Sequence, residues 1–256
     1  MSKRTKDKVK NNFIYTIAIL AVVGFAGFFA YSLHGFFVHE RDGRLALENS
    51  EAARGMFEDV LTLGQRDVEL LAAARIHEAR ELAGNGDIVA FISIPGTAIG
   101  DMVVHGGDNY HYLRHDAYGA ASQAGALFLD YRNAPDFNDP SSIIYGHNMR
   151  NGSMFHDLRY FMEQDFFERH PRIALITEQG VMFYEIFSAF STTVDFDYIQ
   201  TNFKTPEDFE GLVDEIVRRS VVDSGITVTR DDRMLILSTC NLSGRDRRFV
   251  VAARLI

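Results

Sequence analysis

A mostly β domain of the mixed barrel or sandwich type, preceded by helices and a membrane-spanning segment, is the fold class this sequence predicts. Three observations predict it. After Asp87, nine short runs of β-branched and aromatic residues alternate with turn residues. Residues 43–82 contain no proline and are dominated by Ala, Glu, Leu and Arg. Residues 13–38 contain no Asp, Glu, Lys or Arg.

The uncharged run defines the first elements. At about 1.5 Å rise per residue, roughly 20 apolar residues cross a bilayer's hydrocarbon core. A helix of this length in a protein core would show a polar face. A cleaved signal peptide would have a shorter apolar stretch and a small-x-small cleavage site, to which Ala30-Tyr31-Ser32 is a poor match. Before the run lie Lys3, Arg4, Lys6, Lys8 and Lys10 against Asp7; after it Glu40, Arg41, Asp42 and Arg44 are mixed. Positive-inside bias therefore predicts a cytoplasmic tail over 1–12, a signal anchor over 13–38 and export of everything after it. The tail's +4 taken from the net −9 leaves −13 on the exported part, which speaks against nucleic acid as a partner.

Residues 39–86 form a helical region, with apolar positions at Met56, Phe57, Val60, Leu61, Val68 and Leu71. Gly55 and Gly64 are candidate breaks, and Ala83-Gly84-Asn85-Gly86-Asp87 is a stop. Apolar faces on these helices predict packing against the β domain, since they would otherwise stay wet. Residues 87–256 form the β domain. Its expected strands are Ile88 to Ile94, Met102 to Val104, Leu127 to Tyr131, Ile143 to Tyr145, Ile173 to Thr177, Val181 to Ser191, Ile226 to Val228, Met234 to Thr239 and Phe249 to Ile256. Thr205-Pro206-Glu207-Asp208 opens a helix, with Thr205 as N-cap and Pro206 at the first helical position, and a shorter helix covers Met154 to Met162.

Cys240 is the only cysteine, so no intramolecular disulfide can form. It ends the strand-like run Leu235-Ile236-Leu237-Ser238-Thr239-Cys240. An unpaired thiol on the exported side is a liability unless its reactivity is used, and thiolate chemistry needs a group to take or balance its proton. Of nine histidines, His34 and His39 sit in or beside the anchor, and His77, His156 and His170 lie in polar, exposed-looking contexts. His105, His111 and His115 fall in a Tyr- and Asp-rich stretch. His147 differs: it leaves the strand Ser142-Ile143-Ile144-Tyr145-Gly146 for the loop Asn148-Met149-Arg150, where a scaffolded yet accessible side chain is expected. His111 and His115 are the one i,i+4 histidine pair and have no third ligand nearby, so no metal and no other cofactor is expected. Attack on an amide builds charge on the carbonyl oxygen, for which Arg247 and Arg248 are candidates; on a strand they face opposite ways, so one of them serves.

Five ordered blocks resemble the sortases, and class B among them: Phe91-Ile92-Ser93-Ile94-Pro95-Gly96-Thr97, Ala124 through Asn133, Ile144-Tyr145-Gly146-His147-Asn148-Met149, Leu237-Ser238-Thr239-Cys240, and Arg248-Phe249-Val250-Val251. The resemblance covers Asp87 to Ile256 and implies a closed eight-stranded β-barrel performing cysteine transpeptidation. It implies Cys240 as nucleophile, His147 as general acid/base and Arg248 as the residue that orients substrate and stabilises the oxyanion. It places Thr239 at the oxyanion site and Ser238, Asn241, Asn109, Leu113, Tyr198 and Ile199 along the substrate groove. The implied partners are a secreted protein with an Asn-Pro-x-Thr-x-like C-terminal sorting signal and a cell-wall precursor amine of the lipid II peptide type, both met at a Gram-positive-type cell surface. Phe91 stands where the family has tryptophan, and the chain has none. Rival readings are a cysteine peptidase, a pilin-polymerising sortase and a non-catalytic tethered binding protein. In papain-type peptidases Cys precedes His, the reverse of the order here.

Overall fold

The computed structural model describes residues 3–62, 68–193, 195–240 and 247–256, with side chains described at 20–62, 68–193, 195–239 and 247–256. Two compact units divide the chain, residues 1–41 and 42–256, and each is described by itself. The first helix, α1, is Lys3–Thr62, and Gly55 lies inside it without breaking it. Gly64 lies outside the described residues. In the first unit, the apolar window of α1 is long enough to cross a bilayer, and none of it is buried.

In the second unit, α1 gives way to α2 (Val68–Ala83). Gly84 ends α2 at φ +61°. The Asn85 N–H donates to the Arg80 carbonyl and the Gly84 N–H to the Glu81 carbonyl, which closes a Schellman turn. Eight strands follow: β1 (Ile88–Ser93), β2 (Gly100–Val104), β3 (Leu127–Leu129), β4 (Ser141–His147), β5 (Arg172–Thr177), β6 (Gly180–Thr192), β7 (Met234–Cys240) and β8 (Arg248–Leu255). They close into a barrel in the order β1-β2-β3-β4-β7-β8-β6-β5, with β5 back on β1. β2 with β3 and β4 with β7 are parallel pairs, and the rest are antiparallel. Between β4 and β7 the chain makes the long crossover that a parallel pair requires, using α3 (Gln164–Arg169), β5, β6 and α4 (Pro206–Arg219).

Strand alternation separates two apolar clusters. Ala90, Val103, Leu127, Ile144, Leu175, Leu235, Leu237, Val251 and Ala253 fill the interior. Phe91, Met102, Phe128, Ile143, Ile236 and Val250 face outward, beneath Ala53, Phe57 and Val60 of α1, Ala72 and Ile76 of α2, and Phe209, Leu212 and Ile216 of α4. The helices thus pack on the barrel, as their apolar faces predict. Phe91, in the family's tryptophan position, stacks on Phe57 at 4.6 Å between centroids and 8° between planes. The α4 start is a capping box: the Thr205 hydroxyl accepts from the Asp208 N–H, and the Asp208 carboxylate from the Thr205 N–H.

Three expectations are corrected. Ile226 to Val228 is no strand, because both edges of β7 are taken by β4 and β8 and a closed barrel offers no free edge; Ile226 and Val228 pack on the outer cluster instead. The helix expected from Met154 is a 3₁₀ helix over His156–Met162, since Met154 has φ +58° and bridges to Asn148. His156 is buried, its Nδ1 donating to the Met149 carbonyl at 2.5 Å.

Asp101 on β2 is buried under α1, and its Oδ2 has no hydrogen-bond partner. Close by, Ser50 Oγ donates to the Gly100 carbonyl at 2.9 Å and Arg54 Nη2 to the Thr97 carbonyl at 3.1 Å. Burial pushes the Asp101 carboxyl up to about 7, against the opposing pull of the Arg54 charge. The unfolded chain ionises near 3.8 and the folded one near 7, so the fold holds the extra proton and stability falls as pH rises across that window. Asp101→Asn should therefore stabilise the protein at pH 8 by roughly 2–4 kcal/mol and at pH 5 by less than half of that. Thermal unfolding at the two pH values checks this; equal effects at both would contradict it.

Candidate active site

The parallel pairing of β4 with β7 sets His147 against Cys240 as backbone partners, and Tyr145 against Ser238. β8 lies on the other side of β7, with Ser238 opposite Val250. Continuing that antiparallel register by two residues puts Arg248 across from Cys240, and Phe249 N–H donates to Thr239 Oγ1 at 2.9 Å between them. With that extension, His147, Cys240 and Arg248 fall in register across three adjacent strands. The Cys240 side chain and Asn241 lie outside the described atoms.

His147 is delivered by a glycine. A Cβ on Gly146 would lie 2.3 Å from Leu127 Cδ2 and 2.8 Å from Phe155 Cδ2, so the interior has no room for a side chain there. His147, one residue on, turns to the outer face, is 4% exposed, and its Nε2 lies 2.9 Å from the Leu113 carbonyl oxygen. A carbonyl only accepts, so Nε2 carries the proton in this contact and Nδ1 is the other exchangeable site of the ring. The Leu113 backbone is itself fixed by close approach: Gly125 has φ +62°, and a Cβ there would meet the Tyr112 carbonyl oxygen at 2.4 Å.

Arg248 is half-buried and its Nη1 lies 3.4 Å from the Tyr198 hydroxyl, whereas Arg247 is exposed. Tyr198 is buried and its hydroxyl shares a 2.7 Å hydrogen bond with Ser238 Oγ. Ser238 and Thr239 are both buried. Ile199 follows Tyr198 in the same loop, and its carbonyl accepts from Arg132 Nη2 at 2.7 Å. Asn109 faces inward to the protein: its Nδ2 donates to Asp130 Oδ2 at 3.0 Å and its Oδ1 accepts from the Tyr131 N–H at 3.0 Å. Of the residues read from sequence, Leu113 therefore reaches the site through its carbonyl, and Asn109 through a carboxylate the sequence did not single out.

That carboxylate, Asp130, is fully buried and also accepts from the Tyr145 hydroxyl at 2.9 Å and from Arg132 Nε and Nη2 at 2.8 Å each. Burial alone would raise its pKa; the hydrogen bonds from Arg132, Tyr145 and Asn109 outweigh burial and hold it below the usual carboxylate range. Tyr145 is pushed up, first by burial and then by the Asp130 charge. One signal for this group was present in the sequence, an Asp ending the apolar strand Leu127–Leu129 with an Arg two residues later. His111 and His115 stack at 4.2 Å with planes 3° apart, and among the described residues no three His, Cys, Asp or Glu side chains form a metal-holding group.

A family model described as the sortase domain matches residues 92–256. Sortase B of Listeria monocytogenes is 41% identical over 159 residues, 61% of this chain and 64% of that protein. Sortase B of Staphylococcus aureus is 35% identical over 174 residues, 67% of this chain and 71% of that protein. The solved Staphylococcus aureus sortase B–substrate complex superposes with a TM-score of 0.75 at 31% identity, covering 82% of this chain and 95% of that one. The closed barrel with its packed helices matches the sortase B fold of that solved structure, and the chain belongs to the sortase family of cysteine transpeptidases, in its class B.

Proposed function

We propose that this protein is a membrane-anchored transpeptidase that cleaves an Asn-Pro-x-Thr-x-like C-terminal sorting signal after the threonine and joins the new carboxyl end to a cell-wall peptide amine. The observation that carries the reading is the pairing of His147 with Cys240 across β4 and β7, with Arg248 opening β8 on the other side of β7.

The Cys240 thiolate attacks the threonine carbonyl carbon, and the electron pair moves onto the oxygen. Arg248 and the backbone N–H at Thr239 hold that oxyanion. The carbon–nitrogen bond then breaks as His147 gives its proton to the leaving amine, and a thioester remains on Cys240. The acceptor amine attacks the thioester, yields its proton to His147 and expels the thiolate. With Nε2–H committed to the Leu113 carbonyl, Nδ1 is the nitrogen that exchanges the proton. One amide replaces another, so no nucleotide is needed. Ser238, Tyr198, Ile199, Leu113 and Asn109 would support the groove, the last two through the contacts just described, and Asn241, outside the described residues, keeps the groove role its motif implies. Anchoring by residues 13–38, with the basic tail in the cytoplasm, would hold enzyme, sorting signal and lipid-linked acceptor at one membrane face and raise their effective concentration.

Product analysis tests the reading. Detergent-solubilised protein given an Asn-Pro-x-Thr-x peptide and a wall-peptide amine should form the ligated product at the expense of the hydrolysed one; hydrolysis unaffected by amine would identify a peptidase instead. The two arginines provide a second check. Arg248→Ala should lower kcat/KM by about 10²–10³-fold, the usual cost of losing an oxyanion donor. Arg247→Ala, at an exposed position, should stay within about twofold, typical of surface substitutions. Equal losses would remove Arg248 from its role.

A further inference from the structure

Three chain segments around the site meet at one buried carboxylate, and a fourth joins them through Arg132. Asp130 follows β3, Tyr145 lies on β4 two residues before His147, Asn109 belongs to the loop that leads to Leu113, and Arg132 reaches across 67 residues to the Ile199 carbonyl. The Arg132 guanidinium grips Asp130 with Nε and Nη2 and uses Nη2 again on Ile199. Side by side with that carbonyl stands Tyr198, whose hydroxyl lies between Ser238 Oγ and Arg248 Nη1. Its ring is packed by Phe190 at 6.2 Å and Phe196 at 5.9 Å.

Taking the function proposed above as its basis, we propose that the Asp130–Arg132 pair is a positioning unit for substrate binding, latching the Tyr198–Ile199 segment onto the β3–β4 end of the barrel. The physical case is one of geometry. A planar guanidinium can hold a carboxylate with two donors and still offer a third N–H to a carbonyl in a fixed direction, which an ammonium cannot. Asp130 has no exposed surface, so its charge persists only because Arg132, Tyr145 and Asn109 supply donors. The carboxylate is thereby a rigid post, and Arg132, itself 36% exposed, is the arm between that post and the loop. Breaking the arm frees the loop backbone at Ile199 while leaving the β4–β7 register, and with it His147 and Cys240, in place. The pair therefore acts on how peptide is held and, through the Tyr198 hydroxyl, on where Arg248 rests, and not on the reactivity of the thiol.

Arg132→Lys tests this in a protein expected to fold, because the cation beside Asp130 is kept. Removing it, as in Arg132→Ala, would leave a buried charge poorly compensated and destabilise the fold itself. Two readouts are needed. The first is steady-state kinetics on whichever member of an Asn-Pro-x-Thr-x peptide panel the wild type cleaves fastest, with iodoacetamide alkylation of the lone cysteine as an independent report on the thiol. The second uses the absence of tryptophan from the chain. A Phe196→Trp reporter, two residues from Tyr198, gives a single-site fluorescence anisotropy in both backgrounds. Expected for Arg132→Lys are a KM raised at least about fivefold with kcat lowered less, an alkylation rate within about twofold of wild type, and a lower Trp anisotropy. Unchanged KM with unchanged anisotropy would overturn the proposal. So would a parallel fall in kcat, alkylation and thermal midpoint, the mark of a merely structural pair. Failure of the wild type to cleave any panel peptide would refute the function while leaving the anisotropy comparison to decide whether Arg132 latches the loop.

Discussion

Cys240→Ala should bring peptide cleavage and ligation to the uncatalysed floor, a loss of at least about 10⁴-fold, because no second thiol exists to take the acyl group. Fold and cleavage should separate. The β4–β7–β8 ladder depends on backbone pairing that alanine preserves, and the substitution deletes one sulfur atom. Circular dichroism and the thermal midpoint should therefore stay near wild type while product formation disappears. Residual ligation in the variant would mean that the acyl group passes through another residue, and the register across the three strands would then have no chemical meaning.

His147→Gln should lower kcat by about 10²–10⁴-fold, the range spanned by loss of a positioned general acid/base, with KM changed far less. Glutamine keeps an N–H donor for the Leu113 carbonyl, which separates the anchoring contact from proton transfer. If the anchoring contact were the whole of its role, glutamine would restore much of the activity that His147→Ala loses. Wild-type kcat/KM should also show a bell-shaped pH profile reporting the thiol–imidazole pair, and one limb should vanish in the variant. Retention of both limbs with near-normal kcat would assign the proton transfers elsewhere.

Much of this architecture was legible in the sequence because local patterns encode it. The strand Met234–Cys240 follows from its apolar run, the start of α4 from Thr205-Pro206 with Asp208, and the end of α2 from Gly84. Pairing is different. Nothing near Ser141–His147 says that its neighbour begins 93 residues later at Met234, because a parallel partner is chosen by the closure of the whole barrel. The same closure decides against Ile226 to Val228, whose residues suit a strand but find no open edge. His156 reads as exposed from its polar neighbours, yet a 3₁₀ turn brings it under the barrel end.

The site divides along the same line. Cys240, His147 and Arg248 stand out by type and position, one as the lone thiol and the others at strand ends, and the family's motifs name their expected roles. The support beneath them does not stand out. Asp130 looks like a turn residue until burial, Arg132, Tyr145 and Asn109 are seen together, since a buried ionic hub is defined by partners distant in sequence. Leu113 contributes a backbone atom, which no side-chain pattern can reveal.

Intact-protein mass spectrometry is the most direct test of the central claim that a single sulfur carries the acyl group in transit. Quenched in acid after mixing with an Asn-Pro-x-Thr-x peptide without amine, the protein should gain the mass of the peptide's fragment ending in threonine, on the tryptic segment containing Cys240. Addition of the wall-peptide amine should discharge it as ligated product. Turnover with no such adduct, or an adduct on any other residue, would contradict the account.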